Sequence, residues 1–186
     1  MLYDLVLKNR SYRRFDESER ISEETLRELV NLARLSSSAA NRQTLKFRLV
    51  TSPEECEKVF FNTAWAGYIK NGAPVEGERP SAYIVILNDN SLFACNAIDV
   101  GIAAEAILLG ASEKELGGCM IASFKDERIR EALSIPENLE AKLVIALGKP
   151  VETVVIEDMK DNDVKYWRDE ERVHHVPKRS LDELIV

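Results

Sequence analysis

No apolar run in the 186 residues approaches the roughly 20 residues of a membrane span, so no spanning helix is expected. Cysteine is scarce. Cys56, Cys95 and Cys119 are odd in number and far apart, which fits a reducing cytosol better than a disulfide framework. An excess of positive charge is also missing. The formal net charge is -7, without the dominant basic face expected of a nucleic-acid binder. Met1-Leu2-Tyr3-Asp4 lacks the basic region and apolar run that open a signal peptide. Three motifs are absent: G-x-G-x-x-G, G-x-x-x-x-G-K-[ST] and G-x-S-x-G. Their absence disfavours a Rossmann NAD domain, a P-loop NTPase and a nucleophile elbow. What is present is a soluble composition, 45% hydrophobic and 31% charged, expected to form one domain over 1–186.

The chain alternates helical and strand patterns. Leu2, Leu5 and Val6 share one face of a short N-terminal helix. Ser22 caps a second helix whose Leu26, Leu29, Val30 and Ala33 form one buried stripe, running to about Arg34. Residues 36–45 are small and polar and predict a loop. Lys46 to Val50 alternates as a strand, and Ser52-Pro53-Glu54-Glu55 starts a helix to about Phe61. Glycines and prolines make 62–80 irregular. Ser81 to Leu87 is a continuous apolar run, as in a central strand. From Leu92 to about Lys114 the pattern predicts a long helix, apolar almost all round, which suggests a partner subunit on one side. Cys119–Phe124 and Lys142–Leu147 predict two more strands around a short helix. After Pro150 the chain is charged, with one short strand near Val154, and reads as an extension over the surface or onto a partner. The class is α/β (α+β).

Five groups of residues are candidates for chemistry. Lys8 to Phe15 packs Lys8, Arg10, Arg13 and Arg14 around Ser11 in an acidic chain. Arginine forks match phosphate oxygens, and Arg10 and Arg13 are one helical turn apart, with Arg14 aimed elsewhere. Taken alone, the stretch reads as solvated or ion-paired surface before it reads as an anion site. The Ser, Asn and Gln side chains of residues 36–43 suit a ring edge that donates and accepts, or simply a capped loop. Gly117 and Gly118 allow close approach of a ligand, or only a tight turn. Cys119 has apolar neighbours and reads as a core thiol. Asp99 and Glu105 stand on different faces of the long helix, with a helix-capping or interface ion pair favoured over acid–base chemistry. His174 and His175, adjacent on extended chain, point in opposite directions, so no metal is expected.

In order and spacing these segments resemble the nitroreductase family of FMN-dependent oxidoreductases. Asn9-Arg10-Ser11-Tyr12-Arg13-Arg14-Phe15 is similar to its R-R-S-x-R-x-F-like motif, with Asn at the first Arg. Ser37-Ser38-Ala39-Ala40-Asn41-Arg42-Gln43-Thr44-Leu45 resembles its P-S-A-x-N-x-Q-P-W-like loop, with the Pro and Trp positions changed. Asp99 to Glu105 resembles D-x-G-x-A-x-Q, with Glu for Gln. Gly117-Gly118 through Phe124, Gly148-Lys149-Pro150 and Pro177-Lys178-Arg179 follow in the family's order. The resemblance implies a central mixed sheet of about four to five strands flanked by helices, with the long buried helix at a homodimer interface. It further implies that Arg10, Ser11, Arg13 and Arg179 hold the FMN phosphate and ribityl groups. Ser37, Ser38, Ala39 and Asn41 would reach the flavin centred on the other subunit. Amides from Gly117 and Gly118 through Ile121 and Ala122 would face its ring. NAD(P)H would reduce the flavin, and a nitroaromatic, quinone or flavin acceptor would then oxidise it in ping-pong order. No side chain is assigned as an acid or base, because the flavin carries the chemistry. A flavin carrier or sensor without turnover is the alternative. Trp65–Arg79 and the tail near Tyr166 would border the flavin's open face.

Overall fold

The central strand of the computed structural model, which describes residues 1–186, is β3 (Ala82–Asp89). Its continuous apolar run is buried on both faces, because helices cover both sides of the sheet. Ala82, Ile84 and Ile86 pack with α2 (Glu23–Leu35) and α4 (Ala97–Glu113). Tyr83, Val85 and Leu87 pack with α3 (Pro53–Phe61) and α5 (Asp126–Ala132) on the other face. Strand alternation divides the core in this way.

β3 lies between β2 (Leu45–Val50) and the long β5 (Leu139–Pro150). β5 also pairs with β4 (Gly117–Ile121) on its other edge and, at its C-terminal end, with β1 (Phe15–Asp16). All five strands pair antiparallel, which corrects the expected mixed pairing. The helix α5 returns the chain from β4 to its neighbour β5 in the opposite direction.

Local signals explain most boundaries. The Ser22 hydroxyl accepts from Thr25 N at 3.1 Å, and the Ser52 hydroxyl accepts from Glu55 N at 3.2 Å. The helix α4 starts at Ala97, not near Leu92. Asp89 accepts from Ser91 N at 3.1 Å, and Asn88 donates to Phe93 O at 3.2 Å, holding this segment out of the helix. The cap is Asn96, whose Oδ1 accepts from Ile98 N at 3.0 Å. The helix α1 (Leu2–Lys8) lies along α4 with Leu2, Tyr3, Val6 and Leu7 exposed.

The charged tail forms a second sheet that the sequence did not announce beyond one strand. β6 (Val154–Asp158) pairs parallel with β8 (His174–Lys178), and β7 (Trp167–Arg168) pairs antiparallel with β8. Ion pairing rather than an apolar stripe ties it down. The buried Glu152 carboxylate accepts from Arg168 at 2.8 Å and from the Arg13 peptide N–H. A short helix, α6 (Leu181–Leu184), ends the chain with Leu181, Leu184 and Ile185 exposed.

Candidate functional site

The basic stretch leaves α1 and lies against β4. Tyr12 N–H donates to Gly118 O at 3.0 Å, and Ser11 bridges Gly118 in parallel. Two glycines make this approach possible. A Cβ on Gly117 would sit 2.5 Å from the Tyr12 ring, and one on Gly118 would sit 2.5 Å from Ala146 O. The glycine turn and the arginine stretch are therefore one structural unit.

That unit forms one wall of a cleft of about 290 Å³. Arg10, Ser11 and Arg13 line it with Met120 of β4 and Leu108 of α4. β8 forms the opposite wall, with His174, Val176 and Lys178 turned inward by strand alternation, and Tyr166 beside them. The Arg13 guanidinium lies 4.8 Å over the Tyr166 ring and donates to Ser11 O at 3.2 Å. Arg10 donates to Val6 O at 2.7 Å, while its buried Nε has no protein partner. Arg14 turns away and pairs with Glu78 at 3.4 Å.

Two of the departures from the family pattern, Asn9 and Glu105, touch each other. Asn9 Nδ2 donates to Glu105 Oε1 at 3.0 Å at the rim of this cleft. Ile121 points its side chain into the core, so Met120 is the β4 side chain at the cleft; Ala122 is exposed just beyond the strand. Arg179 is outside the cleft, donating to Asn162 Oδ1 at 2.7 Å. Lys178, not Arg179, lines the cleft. His174 escaped the sequence reading, which gave Met120 only within the amide segment, Tyr166 only as a border of the open face and Lys178 only within the basic C-terminal motif. Two-residue periodicity from Gly118, and back from Lys178, was the signal that marks Met120 and His174. Cys119 is buried, and burial pushes its thiol up, away from a reactive thiolate.

The loop holding Ser37, Ser38, Ala39 and Asn41 is not in this cleft. Ser37 and Ser38 line a separate hollow of about 150 Å³ at the first turn of α4. Buried Asp99 organises the loop, accepting from Ser38 Oγ at 2.8 Å and Ala39 N at 2.9 Å. Ala40, Asn41 and Gln43 have φ of 50°, 52° and 50°, a left-handed conformation that non-glycine residues hold only when their surroundings enforce it. Asp99→Ala therefore leaves two donors unpaired and releases a strained loop. Its expected cost is about 2–3 kcal/mol, with faster hydrogen exchange at Ala39 to Gln43. Unchanged exchange would show that the loop holds itself.

In the tail sheet, His175 lies between Asp169 Oδ2 at 3.1 Å and Glu157 Oε2 at 3.2 Å, stacked on Trp167 at 4.0 Å. Its hydrogen bond to Asp169, then that to Glu157, holds the imidazole above its ordinary 6.5. Trp167 and His175 hold Glu157 below its ordinary value, and His175 holds Asp169 below its own. The histidine's contribution is complete below pH 6.5 and is lost as pH rises through its raised value. The carboxylates' contributions are complete above their ordinary values and are lost as pH falls through the lowered ones. The difference in thermal midpoint between the parent chain and His175→Gln should thus be largest between about pH 4.5 and 6.5, where all three groups carry their charges. The His175→Gln variant should lose the alkaline decline, and a decline as steep as in the parent chain would contradict the pairing.

The chain has a three-layer α+β fold with a cleft at the edge of its sheet lined by Arg10, Arg13 and Lys178, an arrangement suited to an anion. The sequence pattern of the nitroreductase family matches residues 6–149, and the chain belongs to that family of oxidoreductases. A Methanothermobacter thermautotrophicus protein is 28% identical over 86% of this chain and 83% of its own; it carries the provisional name NADH dehydrogenase/NAD(P)H nitroreductase. An NADPH-dependent oxidoreductase of Staphylococcus haemolyticus is 24% identical over 81% of this chain and 65% of its own. Among solved structures, a nitroreductase family protein from Clostridium novyi NT superposes with a TM-score of 0.67 and 26% identity over 100% of this chain and 99% of its own. An FMN-dependent nitroreductase from Clostridium difficile R20291 gives 0.61 and 26% over 84% and 90%.

Proposed function

We propose that this chain is an FMN-binding, NAD(P)H-dependent oxidoreductase that works as a homodimer in a reducing cytosol, with 1–186 as its single domain. The observation that carries the reading is the cleft where Arg10, Arg13 and Lys178 face the free edge of β4. An orphaned buried donor, Arg10 Nε, in a cationic cleft fits an anionic ligand. Arg10, Arg13, Lys178 and the Ser11 hydroxyl would hold the FMN phosphate. Gly118 O faces outward to Tyr12 N, and strand period puts Met120 N–H and C=O on that same outer edge. These groups suit a ring edge that both accepts and donates. The Leu108 and Met120 side chains supply an apolar floor for the ring.

When bound, FMN would supply the redox chemistry, accepting electrons from NADH or NADPH and passing them to a nitroaromatic, quinone or flavin in ping-pong order. The chain binds, orients and excludes water, and no side-chain acid or base is assigned. The names of the Methanothermobacter and Staphylococcus relatives support the NAD(P)H donor, and that of the Clostridium difficile protein supports FMN.

The cleft of one chain is at the low end for a small-molecule site, roughly 300–1,000 Å³. A second subunit would complete it. Ile98 on α4, Leu2, Tyr3 and Val6 on α1, and Leu181, Leu184 and Ile185 at the C-terminus are exposed, an apolar surface suited to a copy of this chain. Ser37, Ser38, Ala39 and Asn41 of the partner subunit would then reach the flavin. A second reading, a flavin carrier without turnover, rests on Tyr166, which lies over Arg13 and narrows the open side. Steady-state oxidation of NADH and NADPH with a quinone or nitroaromatic separates the two. Turnover supports the enzyme, and bound flavin that is never reduced supports the carrier.

A further inference from the structure

We propose that His174 is a cofactor-contacting residue, its imidazole hydrogen-bonding the phosphate of bound FMN. The inference rests on the FMN reading above and extends it to the tail sheet, which supplied no histidine in the sequence reading. His174 is 0% exposed, yet neither ring nitrogen has a protein partner. Buried polar groups in native proteins are almost always satisfied, so an orphaned imidazole lining a cleft points to a ligand. An ordinary core histidine would have bonded to Glu152. Nδ1 instead stays 3.9 Å from Glu152 Oε2, beyond hydrogen-bond reach, and that carboxylate is already held by Arg168 and the Arg13 peptide N–H.

The ring is fixed before any ligand arrives. Tyr166 packs edge-on at 5.3 Å, Tyr68 packs on Tyr166 at 5.1 Å, and the His174 peptide N–H donates to Thr153 O at 2.8 Å. Its charged surroundings are mostly cationic. Arg10 and Arg13 face it from the basic stretch, Arg168 from β7 and Lys178 from β8, with His175 behind it on the other face of β8; the acids are Glu152 and, at the rim, Glu105. Burial first, then Arg13, Arg168 and His175, push the imidazole down to about 4, so it is neutral at ordinary pH. A neutral imidazole has one N–H to donate, and a phosphate oxygen accepts it. A phosphate among these cations offsets the field that keeps the ring neutral, so binding draws a proton onto His174 from solvent.

The test uses the full-length apoprotein and its His174→Gln and His174→Phe variants. FMN and riboflavin, which lacks the phosphate, are titrated by quenching of flavin fluorescence. Proton uptake comes from calorimetry in two buffers of different ionisation enthalpy. His174→Phe is expected to weaken FMN by roughly tenfold or more, the size of one charge-assisted hydrogen bond, with riboflavin unchanged. His174→Gln keeps a donor and is expected to stay within about threefold for FMN, while taking up fewer protons than the parent chain below pH 6. Should His174→Phe fail to fold, the proton difference in His174→Gln decides alone. Parental FMN affinity and parental proton uptake in the variants would overturn the His174 contact while leaving the FMN reading in place. A parent apoprotein that binds no FMN would overturn both.

Discussion

Arg13→Glu is expected to weaken FMN by about a hundredfold or more. Arg13 stands at the centre of the cleft, between the β4 edge and the tail sheet, with its guanidinium over Tyr166. Losing a charge-assisted hydrogen bond costs about 1.5–3 kcal/mol. A carboxylate in its place adds repulsion, about 4 kcal/mol for unit charges 4 Å apart near a protein surface before salt screening. Even half of that total exceeds the roughly 2.7 kcal/mol of a hundredfold change. Arg13→Gln separates the two contributions and should lose only about tenfold. Both variants are read by flavin fluorescence titration at two salt concentrations. Affinity unchanged in Arg13→Glu would mean that Lys8 to Phe15 is surface and nothing more.

Gly118→Val should cost about 3 kcal/mol or more, through overpacking and the loss of one backbone hydrogen bond. The added Cβ meets Ala146 O at 2.5 Å and Leu108 Cδ2 at 2.6 Å. The first is backbone of the adjacent strand and cannot give way. The strand shift that relieves the clash also breaks the bond from Tyr12 N to Gly118 O. For a chain of this size, the midpoint of thermal unfolding should fall by roughly 6–12 °C. Gly67→Ala is the control: its Cβ meets nothing within 4 Å and its melting temperature should hardly change. A Gly118→Val protein that melts with the parent would show that the basic stretch is not anchored on β4.

The main sheet and its helices were legible because their signals are local. The α2 stripe, the Ser22 and Ser52 caps and the unbroken apolar run of β3 each determine their element without help from distant chain. Arg10, Ser11 and Arg13 could be placed near Gly117 and Gly118 only through the family resemblance. No periodicity joins residues over a hundred positions apart. The tail's second sheet was legible only as one strand, for a physical reason. β6 and β8 pair in parallel across a charged connection, and Glu152, Arg168 and the Arg13 backbone hold them, none of which leaves an apolar pattern. His174 and His175 do point in opposite directions, as adjacent strand residues must. One is buried in the cleft and the other is paired with Asp169 and Glu157. Choosing between Lys178 and Arg179 needed the register of β8, which ends at Lys178.

The most direct measurement of the central claim is the absorption spectrum of the purified protein, before and after anaerobic addition of NADH or NADPH. The cleft of Arg10, Ser11, Arg13 and Lys178 predicts a yellow protein with one FMN per chain, bleached by one or both nucleotides. A colourless protein that takes up no added FMN would contradict it.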